Sequence, residues 1–534
     1  LILQALVIAL ALSLAIEAFD GRGVRPIGRR PGDLAVRLCA YALLAAFWFA
    51  FSWRPWLAAF SCVLTVAILA LVSRLKRGVI GEPLVFSDFA LLRQVPRHPE
   101  LYYTRPLTDP RMAGPILASF LAVALWYGIE PAALPHEPSV AVLAVFALPL
   151  ALWTLARMAG HGALGRRLAA RFPVPALEAD IARYGLPATI LAYAARWRSQ
   201  RADALPSSEP PMTADPLRAS HGRHGPHAEM SPPADMAAPP TRAPGNPKAG
   251  APDRVVVVVQ LESFVDPVRL GGPPLPLMEI LRARATRYGR LRVPAHGAYT
   301  MRTEHAVLTG RDAEDLGFGM FDPYLTHGGA EPTSLAGLAR RTGFETVFVH
   351  PFHRDFFNRA AVVRRLGFDR LVMEEAFAGA PRVGPYVGDI PLAERVLSEV
   401  AARRTPLFLF CVTMENHGPW KPGRLPGLDD PHAQYLHHVA HTGEAVERLI
   451  AGLEGLPATL CVFGDHAPSL PGCRPGFGGT ATDYAVLHFG RTVPAAPIRV
   501  DLTADALGRQ LRAEVSGGPS VAPSVAPSVA MPPS

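Results

Sequence analysis

The chain has 534 residues with 53 basic and 45 acidic side chains, so charged residues make up only 18% of it, against about 25% in an ordinary soluble domain. Hydrophobic residues reach 49% and mean hydropathy is +0.18 although 55 prolines and 46 glycines favour turns, which excludes a wholly soluble single domain and a wholly disordered chain. The net charge of +8 is diffuse and singles out no nucleic-acid partner, and five cysteines (Cys39, Cys62, Cys411, Cys461, Cys473) without a CxxC pair define neither a disulfide framework nor a cysteine zinc site.

Five uncharged apolar runs come first, at 1–16, 38–53, 55–73, 112–129 and 139–156. Each is near the length that crosses about 30 Å of hydrocarbon at about 1.5 Å per residue. The first lacks a basic n-region and a small-residue cleavage site, so it reads as a span rather than a signal peptide. Any one run could be a buried core helix; five within 1–160 predict a five-span transmembrane domain. Arg22, Arg25, Arg29 and Arg30, with the later Arg74, Lys76 and Arg77, mark the cytoplasmic side by the positive-inside rule, which would place the C-terminal domain in the cytoplasm. Residues 82–103 mix aromatic, apolar and basic side chains, as an interfacial segment or an ordinary connecting loop would.

An interfacial helical segment is expected over 161–202, with 180–198 (DIARYGLPATILAYAARWR) as a helix lying on the membrane surface. Residues 203–252, rich in Pro, Ala, Ser, His and Gly, cannot bury enough apolar surface to fold and read as a flexible linker. Its His221, His224 and His227, and the earlier His161, share no ligand spacing. Residues 513–534 contain three PSVA repeats, at 519–530, and read as a disordered tail.

Between them, 253–512 alternate strand and helix. The apolar runs 255–261, 346–349, 407–412 and 459–463 predict strands buried on both faces, and 334–341, 391–403 and 440–456 predict helices, giving an α/β domain with a mainly parallel sheet flanked by helices. Such sheets place their sites beyond the carboxyl ends of the strands. Here Glu262, His350, His417, and Asp465 with His466 follow the four runs. A strand-end acid is by itself more often a helix cap, and a lone histidine more often a rim residue; four on one edge point to a site. Glu262, Asp465 and His466 suit manganese, magnesium or zinc. Thr300, at an expected loop-to-helix junction, supplies an oxygen nucleophile where free N–H groups favour an anion, with Thr303 and Ser263 as competing hydroxyls.

The motifs LES (261–263), T-x-x-T-E (300–304), H-x6-F-N-R (350–359), N-H-x-P (416–419) and GDH (464–466) together resemble the lipoteichoic acid synthase and phosphoglycerol transferase branch of the alkaline phosphatase and sulfatase superfamily. The resemblance extends to the five-span layout. It implies one divalent metal, commonly manganese, held by Glu262, Thr300, Asp465 and His466, and a covalent intermediate on Thr300, chosen over Thr303 from its distance to Glu304. His350, Arg359, His417 and Phe357 match the headgroup-binding positions. Two departures stand out: Phe357 replaces a tryptophan common in relatives, and Phe352 replaces an acidic residue that some of them carry.

The function implied is a membrane-anchored transfer of phosphoglycerol from an anionic lipid, phosphatidylglycerol, to a glycan or glycerophosphate polymer. A phosphoethanolamine transferase, a phosphodiesterase and a sulfatase are alternatives; no cysteine sits in the C/S-x-P-x-R motif that sulfatases convert to formylglycine. A non-catalytic scaffold would be expected to have lost metal ligands. The resemblance places the catalytic domain outside the inner membrane, opposite to the arginine count.

Overall fold

The computed structural model describes residues 1–18, 30–92, 97, 110–204, 254–326, 333–470, 481–490 and 496–516. Five apolar helices open the chain: α1 (Ile2–Ala18), α2 (Pro31–Ser52), α3 (Pro55–Ile80), α4 (Pro110–Ile129) and α5 (Pro138–Met158). α2, α3 and α5 are long and apolar enough to cross a membrane; α1 and the apolar part of α4 are shorter. Each of those three begins on a proline, whose missing N–H costs nothing in a first turn. Ala5 and Ala9 of α1 meet Ala45, Ala59 and Cys62, small side chains that let the helices approach closely. Glu130, beyond α4, accepts from the backbone N–H groups of Trp56 and Leu57 at 2.9 and 2.8 Å and so caps α3. The outer faces of α4 and α5 expose Leu121, Leu125, Phe146 and Leu150, as lipid contact requires.

The expected surface helix over 180–198 is two helices, α7 (Leu177–Tyr184) and α8 (Leu186–Ala204), preceded by α6 (Gly162–Arg171). Gly185 (φ 86) breaks the run where Pro187 follows, and a Cβ there would lie 2.4 Å from a Glu17 carboxylate oxygen. Much of its apolar side is covered by protein, although Leu191 stays exposed. Ala188, Ala192 and Tyr193 pack with Ala40 of α2 and with Phe318 and Phe321 of the globular domain, so these helices bracket the two halves of the protein.

The globular domain is built on a nine-stranded sheet in the order β10-β2-β9-β8-β1-β7-β3-β4, with β11 on β2. Its strands are β1 (Val255–Leu261), β2 (Arg287–Arg292), β3 (Glu345–Val349), β4 (Arg370–Val372), β7 (Leu407–Val412), β8 (Ala458–Gly464), β9 (Ala481–His488), β10 (Ile498–Arg499) and β11 (Leu502–Thr503); β5 (Arg382–Val383) and β6 (Tyr386–Val387) form a separate hairpin. The four expected strands are β1, β3, β7 and β8, all mutually parallel; β9 alone runs antiparallel to its neighbours β8 and β2. Val257 and Val259 of β1 face one hydrophobic core and Val256 and Val258 the other, which is why the strand is apolar at every position.

Flanking helices include α9 (Thr300–Thr309), α10 (Arg359–Arg365), α11 (Asp389–Ala402), α12 (Pro431–Leu453) and α13 (Ala504–Ser516). α13 passes the expected domain end at 512, because Leu511 and Val515 are buried against the sheet. Arg22, Arg25, Arg29, His221, His224, His227, Cys473 and most of 203–252 and 513–534 lie outside the described residues.

Candidate active site

β1 and β8 are in register with Leu261 opposite Gly464, so the next residues of each, Glu262 and Asp465, emerge side by side. Gly464 permits this: a Cβ there would sit 2.0 Å from the Phe264 carbonyl oxygen. Asp465 Oδ1 accepts from the backbone N–H groups of Ser263 and His466, each at 2.8 Å. Thr413, just past β7, accepts from the Glu262 N–H at 2.9 Å. The strand ends are therefore locked to one another by backbone as well as side-chain bonds.

His466 Nδ1 faces the Ala467 carbonyl at 3.2 Å, which places its proton there and turns the Nε2 lone pair inward. Nε2 lies 3.5 Å from both Glu262 Oε1 and Asp465 Oδ2. Nε2 of His466 and Oδ2 of Asp465 are buried without a hydrogen-bond partner. Burial and the neighbouring Asp465 push the Glu262 carboxyl up to about 7. Two converging carboxylates and an imidazole lone pair, all within 4.8 Å of one another, fit a divalent cation. Among the described residues no other such group occurs.

Thr300 is the first residue of α9, and its Oγ1 lies 3.4 Å from Glu262 Oε2. Of the competing hydroxyls, Thr303 is held by a backbone carbonyl and Ser263 shares the Glu262 carboxylate with Thr300. Thr303 donates to the Asp465 carbonyl at 2.7 Å, and Ser263 donates to Glu262 Oε1 at 2.9 Å.

Arg359 opens α10 as Thr300 opens α9, each after a left-handed residue, Asn358 (φ 55) and Tyr299 (φ 63). Its guanidinium is 2% exposed. Nε and Nη2 donate to Glu304 at 3.4 and 3.1 Å, and Nη1 donates to His350 Nε2 at 2.8 Å, leaving one N–H on each terminal nitrogen for an anion. Glu304 also accepts from the Tyr324 hydroxyl. The sequence placed Glu304 in a motif without a partner; Tyr324 carried no signal at all.

His417 is half-buried, with Nδ1 on the Gly418 carbonyl at 2.6 Å. Burial and the Arg424 charge hold its pKa down at about 4. Phe357 (φ 55) lies against Phe356, with the Arg359 guanidinium 5.9 Å above its ring. Phe352, Phe356, Tyr386 and Met414 form an aromatic cluster beside it, and Tyr386 meets His417 at 5.8 Å. A second buried group went unread in the sequence. Glu415 Oε1 faces Nδ1 of both His438 and His441 at 2.9 Å, while the Asp389 N–H donates to Glu415 Oε2 at 2.8 Å and the Glu415 N–H to Asp389 Oδ1 at 3.4 Å.

Fold and site define a membrane-associated enzyme whose α/β domain carries a candidate metal centre on its central strand ends. Residues 254–500 match the family model described as Sulfatase. Over 477 residues the chain is 33% identical to the capsular polysaccharide biosynthesis protein RkpI of Rhizobium meliloti (strain 1021), covering 87% of this chain and 83% of that one. It is 30% identical over 240 residues to a putative cyclic β-1,2-glucan modification protein of the same organism, covering 42% and 37% respectively. Among solved structures, the integral membrane lipooligosaccharide phosphoethanolamine transferase A (EptA) of Neisseria meningitidis aligns over 96% of this chain and 95% of its own, with a TM-score of 0.54 and 13% identity, a likeness of fold. The chain belongs to the sulfatase family, within the metal-dependent alkaline phosphatase and sulfatase superfamily that the motifs resemble.

Proposed function

We propose that the protein is a phosphoglycerol transferase that takes its group from phosphatidylglycerol and delivers it to a glycan or glycerophosphate polymer. The observation that carries this reading is Thr300 Oγ1 at the start of a helix, 3.4 Å from Glu262, which itself converges with Asp465 and His466. Thr300 Oγ attacks phosphorus, the bond from phosphorus to the diacylglycerol oxygen breaks, and that oxygen leaves with a proton as diacylglycerol. An acceptor hydroxyl then attacks the phosphoglycerol-threonine and regenerates Thr300. A divalent cation held by Glu262, Asp465, His466 and Thr300, manganese by resemblance and magnesium or zinc by donor type, supplies Lewis acidity that favours the ionised hydroxyl and offsets charge on the phosphoryl oxygens. The remaining Arg359 N–H groups bind a phosphoryl oxygen. His350 has both ring nitrogens engaged, so His417 is the better proton acceptor for the incoming hydroxyl. The two Rhizobium meliloti relatives carry glycan work in their names, which supports a glycan acceptor.

Phosphoethanolamine transfer is a second reading, favoured by the ring cluster of Phe352, Phe356 and Tyr386 beside His417, since aromatic faces attract an ammonium. For the orientation we infer an extracytoplasmic domain. This orientation rests on the family resemblance and on transfer from lipid to polymer, and it stands against the positive-inside count of Arg30, Arg74, Lys76 and Arg77. Reporters active on one side only, fused after residue 240, test it; a cytoplasmic signal removes the donor assignment.

The deciding experiment incubates the full-length protein in vesicles with manganese and labelled phosphatidylglycerol or phosphatidylethanolamine, followed by peptide mass spectrometry. A phosphoglycerol adduct on Thr300 is expected. A phosphoethanolamine adduct selects the second reading, and an adduct on Thr303 overturns the choice of nucleophile.

A further inference from the structure

Tyr299, immediately before Thr300, has φ 63 and ψ 43. For a bulky L-residue that conformation is strained and persists only where the surroundings impose it. As the N-cap of α9, Tyr299 makes none of the side-chain bonds that usually secure a first turn. What imposes the conformation comes from the membrane half of the chain. Tyr299 Oη donates to Asp88 Oδ1 at 2.5 Å, and its ring lies under the Arg302 guanidinium at 4.1 Å. Arg302 in turn donates bidentately to Glu82, at 2.6 and 3.1 Å, and through Nε to the Phe321 carbonyl at 2.9 Å. Lys76, near the end of α3, joins the two acids, reaching Glu82 at 3.1 Å and Asp88 at 2.7 Å. The loop that follows His466 is tied to the same segment, Ser469 Oγ donating to the Val79 carbonyl at 2.5 Å.

Asp88 and Arg302 are buried, Lys76 and Glu82 partly so, and the four balance in charge, two cations against two carboxylates. Such pairs set geometry more than they add stability, because removing a charge from water offsets most of the attraction. A surface contact serving only to hold two domains together would have no need to end on the residue before the candidate nucleophile.

We propose that Glu82 and Asp88 are positioning residues for Thr300: the segment 76–88 at the end of α3, acting through Arg302 and Tyr299, fixes the first turn of α9 and aims the Thr300 hydroxyl at the Glu262–Asp465–His466 group. The catalytic centre is complete only while the globular domain is seated on its own membrane region. The proposal rests on the reading of Thr300 as nucleophile and extends it to residues with no reach to substrate.

The test uses the full-length protein with Tyr299→Phe, Asp88→Ala, Asp88→Asn and Thr300→Ala. Tyr299→Phe keeps the ring beneath Arg302 and deletes one oxygen. On phosphatidylglycerol vesicles with manganese, kcat for adduct formation is expected to fall about 100-fold in Tyr299→Phe and Asp88→Ala, the cost of a displacement near 1 Å, with KM within about twofold of wild type. Asp88→Asn, which keeps an acceptor for Tyr299, is expected to recover much of the loss. In parallel, the protein is loaded with cobalt(II) and its visible d–d spectrum recorded without lipid. Tyr299→Phe and Asp88→Ala are expected to shift toward the Thr300→Ala spectrum while cobalt affinity stays within threefold. Wild-type spectra and rates in Tyr299→Phe overturn the proposal, and that variant decides alone if Asp88→Ala does not fold. If wild type forms no adduct from phosphatidylglycerol, the donor assignment fails and the cobalt spectra still decide the positioning.

Discussion

Arg359 Nη1 donates to His350 Nε2 at 2.8 Å while His350 Nδ1 faces the Val412 carbonyl at 3.1 Å, so both ring nitrogens of a buried histidine are spent. A carbonyl only accepts; the proton therefore sits on Nδ1, and Nε2 offers its lone pair to the guanidinium. Burial and the Arg359 charge hold the His350 pKa well below its usual value. The imidazole is a fixed neutral strut between β3 and α10, and proton transfer falls to His417.

His417→Ala is accordingly expected to slow transfer to the acceptor by about 10²–10⁴-fold, the ordinary range for a lost general base, while the Thr300 adduct still forms and accumulates. Rapid-quench mass spectrometry separates the two steps. With a folded-state pKa of about 4, wild-type His417 is neutral at pH 7, and the transfer rate should fall only as pH drops toward 4. A fall centred near pH 6.5 would assign the proton transfer to another group.

Thr300→Ala and Thr303→Val should fail in different ways. Thr300→Ala removes the hydroxyl that opens α9, 3.4 Å from Glu262, and should abolish the adduct with little change in melting temperature. Thr303→Val leaves the buried Asp465 carbonyl without its donor, at a cost of about 1–3 kcal/mol, and should lower melting while an adduct on Thr300 remains detectable. Thermal denaturation beside peptide mass spectrometry gives both readings from one preparation.

The distribution of what the sequence reveals has a physical cause. β1, β3, β7 and β8 are covered on both faces, so burial writes itself as an unbroken run of Val, Leu and Phe, and the acids after such runs stand out against it. β2 reads RYGRLR because it lies near the sheet edge with only Gly289 and Leu291 buried, and no apolar run marks it. Residues 180–198 read as a membrane-surface helix because an apolar face turned to protein has the same composition as one turned to lipid. Tyr299 and Asp88, 211 positions apart, have no periodicity linking them; each reads as an ordinary loop residue until the fold brings them together.

Asp389 supplies a pH test of stability away from the candidate metal centre. Burial and the adjacent Glu415 push its carboxyl up to about 8, while Thr442 and the Glu415 N–H donate to its oxygens, with the Cys411 thiol close by. A carboxyl whose folded-state pKa lies above its unfolded value of about 3.9 stabilises the fold most at low pH, and that contribution is lost as pH rises toward 8. Asp389→Asn cannot ionise: its oxygen keeps the Glu415 N–H, and its Nδ2, like the O–H of the protonated acid, can donate to Thr442 Oγ1, whose own proton turns to the His438 carbonyl 3.1 Å away. Its melting temperature should match wild type near pH 5 and exceed it near pH 9. The opposite order at pH 9 would mean that the ionised carboxylate is the stabilised form.

Metal removal is the remaining lever, because the orphaned Asp465 Oδ2 and His466 Nε2 are polar atoms buried without compensation. A cation that binds only the folded chain stabilises it by mass action, by about 2.7 kcal/mol when present at 100 times its dissociation constant. Chelation should therefore lower the melting temperature of the full-length protein, and manganese should restore it in a concentration-dependent way. In His466→Ala, with one of the converging ligands gone, the manganese response should be largely lost, whereas in His350→Ala it should persist, since both His350 nitrogens already have protein partners. An equal response to manganese in His466→Ala and wild type would place the ion elsewhere and leave the Glu262–Asp465 pair to be explained as a shared-proton carboxyl pair, with burial favouring the protonated form of Glu262.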